Sequence, residues 1–129
     1  MADVRYFTHI DEVSFVHNTE IADGSEKDEG VFKELISAAT GSRDLNLGIG
    51  WLKPGEVHIL HHHPVESEFY YFVEGEAVVT VNDQTERVSA GSAVHIPAGA
   101  THKIVNDGDT TAVVLFGYDH PTYSNIWDE

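Results

Sequence analysis

Three side chains near the middle of the chain have types and a spacing that suit one metal ion. They are His61, His63 and Glu68, within GEVHILHHHPVESEFYYFVEG, which runs from Gly55 to Gly75. In an extended strand, residues i and i+2 point to one face, so His61 and His63 project together, with Val57 and Ile59 on their side. His62 faces the other way, with Leu60 and His58. Pro64 cannot donate to a sheet ladder and favours the end of the strand. The chain then returns as Glu68-Phe-Tyr-Tyr-Phe-Val, aromatic and β-branched, which predicts a second strand with Glu68, Tyr70 and Phe72 on one face. Two imidazoles and a carboxylate on facing strands make a nitrogen and oxygen donor set that a first-row divalent metal favours.

A second stretch, GSAVHIPAGATHKIVN from Gly91 to Asn106, completes the pattern. Val94, His95 and Ile96 read as a strand stopped by Pro97 and Gly99. His102 opens a last short strand, and if it points inward it adds a fourth ligand. The two stretches resemble the paired signatures of the cupin superfamily. The first is Gly55, five residues, His61, one residue, His63, four residues, Glu68, six residues, Gly75. The second is Gly91, five residues, Pro97, one residue, Gly99, two residues, His102, three residues, Asn106. Every fixed position is filled.

The resemblance implies an all-β cupin jelly roll, a double-stranded β-helix with little helix. It implies one divalent transition metal ion (iron, manganese, nickel, cobalt or zinc) held by His61, His63, Glu68 and His102. It also implies a homodimer. Glu66 is a rival for the carboxylate position, but only Glu68 keeps six residues before Gly75. The competing reading is a set of hydrogen-bonded histidines lining a core, as in cupins that lose the metal by replacing ligands. Here all four ligand positions are intact, and a buried carboxylate beside three imidazoles is costly without a cation.

Two further residues are candidates for catalysis. Tyr70 stands two residues after Glu68, so its phenol points into the same cavity, as a barrel-filling aromatic or as a proton donor or base. His95 is either a satisfied core histidine or a pocket acid or base, since an imidazole titrates near neutral pH. His58 and His62 read as outer-face residues. The signature glycines and Asn106 read as structural.

Composition narrows the partners. The 129 residues suit a single cupin domain, residues 1–129, and 41% are apolar, which makes the chain globular. There is no cysteine, so thiolate ligands, disulfides and cysteine nucleophiles are excluded. The formal net charge is −15, from 22 acidic against 7 basic residues. That field repels nucleic acid and anionic membrane surfaces, and it leaves a small-molecule substrate as the expected partner. It reads first as an acidic, soluble surface and second as attraction of a cationic or zwitterionic substrate. The start, MADVRYFTHIDEV, lacks the pattern of a secretory signal, and no run of eighteen apolar residues occurs. A cytoplasmic protein is the expectation.

The elements that position these residues follow in order. Residues 1–40 form an N-terminal arm and strands, with β-prone pieces at Val4–Phe7 and Val13–Val16, an acidic loop from Asn18 to Gly30, and a strand over Val31–Ser37. Residues 45–118 form the core barrel. In it, Leu45, Leu47, Ile49 and Trp51 alternate with Asn46, Gly48, Gly50 and Leu52. Gly48 and Gly50 either admit a neighbouring backbone or leave pocket space near the metal. Asn82-Asp83 is a hairpin turn, and Thr110–Tyr118 is the last long strand. Residues 119–129 form a tail packed irregularly across the barrel.

Two functions compete. One is a metalloenzyme acting on a small oxygen-bearing molecule, of dioxygenase or of lyase or isomerase type. The other is a non-catalytic module that binds or senses a small molecule. The complete donor set, with coordination positions to spare, favours the enzyme.

Overall fold

The structure, a computed structural model, describes residues 3–18 and 28–128. Most of the acidic loop expected between Asn18 and Gly30 lies outside the described residues. The rest is almost wholly β, as the alternating sequence predicts. One sheet has six strands in the order β1 (Val16–His17), β2 (Val31–Ile36), β3 (Asn46–Leu52), β10 (Ala112–Tyr118), β5 (Glu68–Glu74) and β8 (Ala93–Ile96). The other has five: β11 (Ile126–Trp127), β4 (Val57–His62), β9 (His102–Val105), β6 (Glu76–Val81) and β7 (Gln84–Ser89). Neighbouring strands pair antiparallel throughout, and successive strands cross between the sheets to close a jelly roll. The helical content described is two 3-10 turns, Ile10–Glu12 and Ala38–Thr40. No helix among the described residues is long and apolar enough to cross a membrane.

The core fills the space between the sheets. Strand β5 buries Glu68, Tyr70 and Phe72 and exposes Phe69 and Tyr71, which is the alternation expected of it. Phe72 is fully buried, and burial of such a ring stabilises the fold by about 1.5–3 kcal/mol. It packs with Leu52, Val79, Ile96, Ile104 and Val114 from both sheets. The hairpin between β6 and β7 turns at Asn82, whose φ of 52° is the left-handed geometry a two-residue turn requires. Asn106, buried, donates its amide to Leu52 O at 2.7 Å and Thr110 O at 2.9 Å, and so ties β9 to the ends of β3 and β10.

The N-terminal arm departs from expectation. Val4–Phe7 form no strand; Arg5 N–H bonds Thr40 O at 2.8 Å, and Tyr6 and Phe7 stand exposed. Of the second piece only Val16 joins a strand, pairing with Phe32 while His17 pairs with Val31. Both segments are β-prone by composition, yet only Val16 and His17 join the outer edge of β2. The tail departs too, since Ile126 and Trp127 add a short strand to the edge of β4.

Strand β3 turns its glycine side inward. Asn46, Gly48, Gly50 and Leu52 are buried, and Leu47, Ile49 and Trp51 lie on the outer face of the sheet. Gly48 sits opposite Phe116 in the ladder with β10, and the Phe116 ring occupies the space a Gly48 side chain would fill. Phe116 in turn lines a cavity in the barrel. Gly50 has only ordinary contacts, at 3.6 Å or more. Gly48→Ala therefore costs about 1–3 kcal/mol by overpacking. Gly50→Ala is neutral or gains up to about 1 kcal/mol by lowering the entropy of the unfolded chain. Urea unfolding of the two variants measures the difference, and equal stabilities would refute this account of β3.

Candidate metal centre

Four side chains converge at one end of the barrel. His61 on β4 and His102 on β9 are cross-strand partners, so their rings share one face. Glu68 opens β5, opposite Tyr118 of β10 and Ile96 of β8. His63 follows β4 directly, and its carbonyl is held by the N–H of Gly99 at 2.8 Å. All four are buried, and one ligating atom from each lies within 4.8 Å of the other three. The grouping expected of His61, His63, Glu68 and His102 is therefore present in space.

The hydrogen bonds of the rings decide what they present. His61 Nδ1 bonds Ile59 O at 2.7 Å, His63 Nδ1 bonds Ser124 O at 3.0 Å, and His102 Nδ1 bonds Ala100 O at 2.9 Å. A carbonyl only accepts, so each Nδ1 carries the ring proton, and in the neutral ring Nε2 is a bare lone pair. His63 Nε2 and His102 Nε2 stand 3.2 Å and 3.0 Å from the same oxygen, Glu68 Oε1. The second contact is too far off line for a hydrogen bond, and His102 Nε2 is a buried nitrogen without a partner. Lone pairs gathered around a carboxylate repel unless a proton or a cation lies between them. Three imidazole nitrogens and one carboxylate oxygen are a donor set that suits a divalent transition ion, so the residues fit one.

Electrostatics agree. Burial raises the pKa of the Glu68 carboxyl, but the His102 and His63 rings beside it, when they carry a proton on Nε2, outweigh burial and hold it at about 2. Burial pulls His61 well below the ordinary histidine range, and the nearby rings of His58 and His102 push the same way. At His63 burial also acts downward, but its hydrogen bond and charge interaction with Glu68 win and raise it.

Beside these groups lies a cavity of about 70 Å³, walled by Phe32, Val114, Phe116 and Ile104 and reached by Glu68, His61, Tyr70, Tyr118 and Tyr123. Tyr70 is buried, and among the described residues its hydroxyl has no partner. Burial, then the charges of Glu68 and Asp28, raise its pKa well above the usual phenol value, so it keeps its proton. His95 is elsewhere. It is exposed on the outer face of β8, opposite Phe69, and the structure does not bring it to this cavity. Glu66 is buried but outside the group, accepting the Ser124 N–H at 3.0 Å. His62 faces away, as expected, and bonds Asp128 of the tail at 2.8 Å.

His58 corrects the reading of β4. Its ring lines the cavity and lies 4.3 Å from that of His61, centroid to centroid. The ladder with β9 slips between His58 and His61, so His58 faces Ile104 and His61 faces His102. That β-bulge moves residues three apart onto one face, where simple alternation puts them on opposite faces. Tyr118, Tyr123 and Asn125 are further cavity residues that sequence reasoning missed. Tyr118 continues the inward series Val114, Phe116 and carried a usable signal; the tail residues had none.

A family model described as "Cupin domain" matches residues 50–118. Tetracenomycin polyketide synthase protein TcmJ of Streptomyces glaucescens is 34% identical over 82 residues, which are 64% of this chain and 55% of that protein. Dimethylsulfoniopropionate lyase DddW of Ruegeria pomeroyi is 32% identical over 91 residues, 68% of this chain and 59% of that one. The chain thus spans little more than half the length of these relatives. Among solved structures, a formate complex of Lactobacillus farciminis oxalate decarboxylase superposes with a TM-score of 0.77 at 28% identity, over 93% of this chain and 35% of that one.

Two outcomes follow. His102→Ala weakens binding of a divalent ion by more than about 100-fold, whereas His62→Ala leaves it within about threefold, as measured by metal titration. Equal losses would refute the strand register. The second outcome concerns acid. The unfolded chain takes up a proton at His61 below about pH 6.5, and the fold resists it. Stability tied to the neutral ring is complete above that pH and is lost as pH falls, by up to about 1.4 kcal/mol per unit. His63, raised by Glu68, acts in the opposite sense, so the comparison is between proteins. Thermal melts of metal-free protein from pH 7 to 5 fall less steeply for His61→Phe than for the wild type; equal slopes would overturn the assignment.

Proposed function

The chain belongs to the cupin-domain family, and from that premise we propose that it is a mononuclear metalloenzyme acting on a small oxygen-bearing molecule by proton transfer, as a lyase or isomerase does. The observation that carries this reading is the set of three buried imidazoles, each with its Nδ1–H committed to a carbonyl, grouped with Glu68 so that one ligating atom of each lies within 4.8 Å of the others, beside a cavity with a tyrosine hydroxyl unpartnered among the described residues. His61, His63, Glu68 and His102 would hold the ion. A divalent ion so held acts as a Lewis acid toward a carboxylate or enolate oxygen and lowers the pKa of the group that carries it.

The chain's own groups supply the rest. Tyr70 holds a proton at Oη inside the cavity, with no partner among the described residues to compete for it, and is the group placed to deliver it to substrate. Phe32, Val114 and Phe116 shut water from that wall, which strengthens every polar contact inside. The small cavity favours a substrate of a few heavy atoms, or one reacting end of a larger molecule. The lyase and decarboxylase among the relatives act on carboxylate-bearing compounds by their names, which supports the same substrate chemistry here.

Metal-loaded protein assayed under argon against a panel of small hydroxy and oxo acids separates the possibilities. Turnover continues without oxygen, stops on chelation, and falls at least about 100-fold in Tyr70→Phe with the metal retained. Loss of turnover under argon would move the protein to the oxygenases. Tight binding of a panel compound without turnover would make it a binding module.

A further inference from the structure

Asp28 is fully buried, yet it belongs to no part of the donor set. Both its oxygens lie 2.8 Å from His58 Nδ1, and Oδ1 also accepts the Ile59 N–H at 2.7 Å. Paired carboxylate oxygens accept, so the proton of the His58 ring sits on Nδ1 and Nε2 is left as an acceptor. Among the described residues Nε2 has no partner, and the ring lines the cavity against His61. Asn125 adds a buried, unpartnered Oδ1 on the same cavity. No lysine or arginine among the described residues lines it. The Ile59 N–H and the His58 Nδ1–H satisfy the buried carboxylate, and they fix the ring with its Nε2 lone pair toward the cavity side.

We infer that the Asp28–His58 pair is the recognition group of this cavity, and that it accepts a hydrogen bond from a hydroxyl or enol O–H of the substrate. The substrate's other oxygen takes the metal side, beside Glu68. This inference rests on the metal-centre reading above and narrows it to small hydroxy acids and hydroxy ketones. Dicarboxylates are disfavoured, because a second carboxylate meets acceptors and no cation. Asp28 is a positioning residue: it sets the tautomer, and His58 makes the contact.

The test uses cobalt(II)-loaded protein, whose visible spectrum reports ligands at the ion, titrated with glycolate, acetate and oxalate. His58→Phe weakens glycolate about tenfold and leaves acetate within about twofold. Asp28→Asn sets an amide N–H against Nδ1, drives the ring proton to Nε2, and turns the acceptor into a donor. Glycolate then weakens while oxalate tightens relative to the wild type, an inversion that a merely structural pair would not produce. If His58→Phe is misfolded by circular dichroism, Asp28→Asn decides alone. Equal weakening of glycolate and acetate, or an unchanged oxalate affinity in Asp28→Asn, would overturn the inference. The expected ratios without turnover of any panel compound would leave recognition standing and remove the enzyme. Failure to take up cobalt would remove the metal centre and this inference together.

Discussion

The carboxylate of Glu68 is the constraint to which the rest of the barrel answers. It lies in the core at the start of a central strand, where an isolated charge is untenable. Three imidazoles surround it, yet their Nδ1 protons are already committed to backbone carbonyls, so as neutral rings they offer it lone pairs. The conflict resolves in one of two ways. Without a cation, His63 takes a proton, which is the direction of its shift. With a divalent ion, all four donors are satisfied at once. The donor set suits the second state, in which a bare Nε2 such as that of His102 gains a partner.

Holding three rings to this geometry demands rigid acceptors, and the chain draws them from unrelated places. Ile59 belongs to the metal strand itself, Ala100 to the turn before β9, and Ser124 to the C-terminal tail. The tail is thus part of the centre. Ser124 gives its carbonyl to His63 and its N–H to Glu66, while Asp128 bonds His62 on the outer face. Tyr123 stacks on Tyr118 at 4.3 Å and closes the cavity from that side. The same demand for close fit explains Gly48. Only a residue without a side chain leaves room for Phe116 on the inner face, and Phe116 forms the dry wall opposite the ligands.

Acidity divides the molecule. The chain carries a formal net charge of −15, yet among the described residues three carboxylates, Asp28, Glu66 and Glu68, are buried. Each has a local partner: Glu68 the His63 ring, Asp28 the His58 ring and Glu66 the Ser124 N–H.

Much of the fold and the four candidate ligands was legible in the chain itself. Alternation identified β5 and its inward Glu68 and Tyr70, Asn82-Asp83 marked the hairpin, the spacing of His61, His63 and Glu68 grouped those three, and the resemblance to the cupin signatures added His102. These features are local or recur at fixed intervals, so residue types suffice to read them. The remainder depended on which strand lies beside which. A bulge against β9 brought His58 inward, and pairing with β5 set His95 opposite Phe69 on the outer face of β8. Pairing with β10 turned the glycine side of β3 to the core, and the tail supplied an acceptor to His63 from sixty-one residues away. Periodicity states that a strand has two faces; only packing against partners decides which face is the inner one, and where an added residue shifts the count.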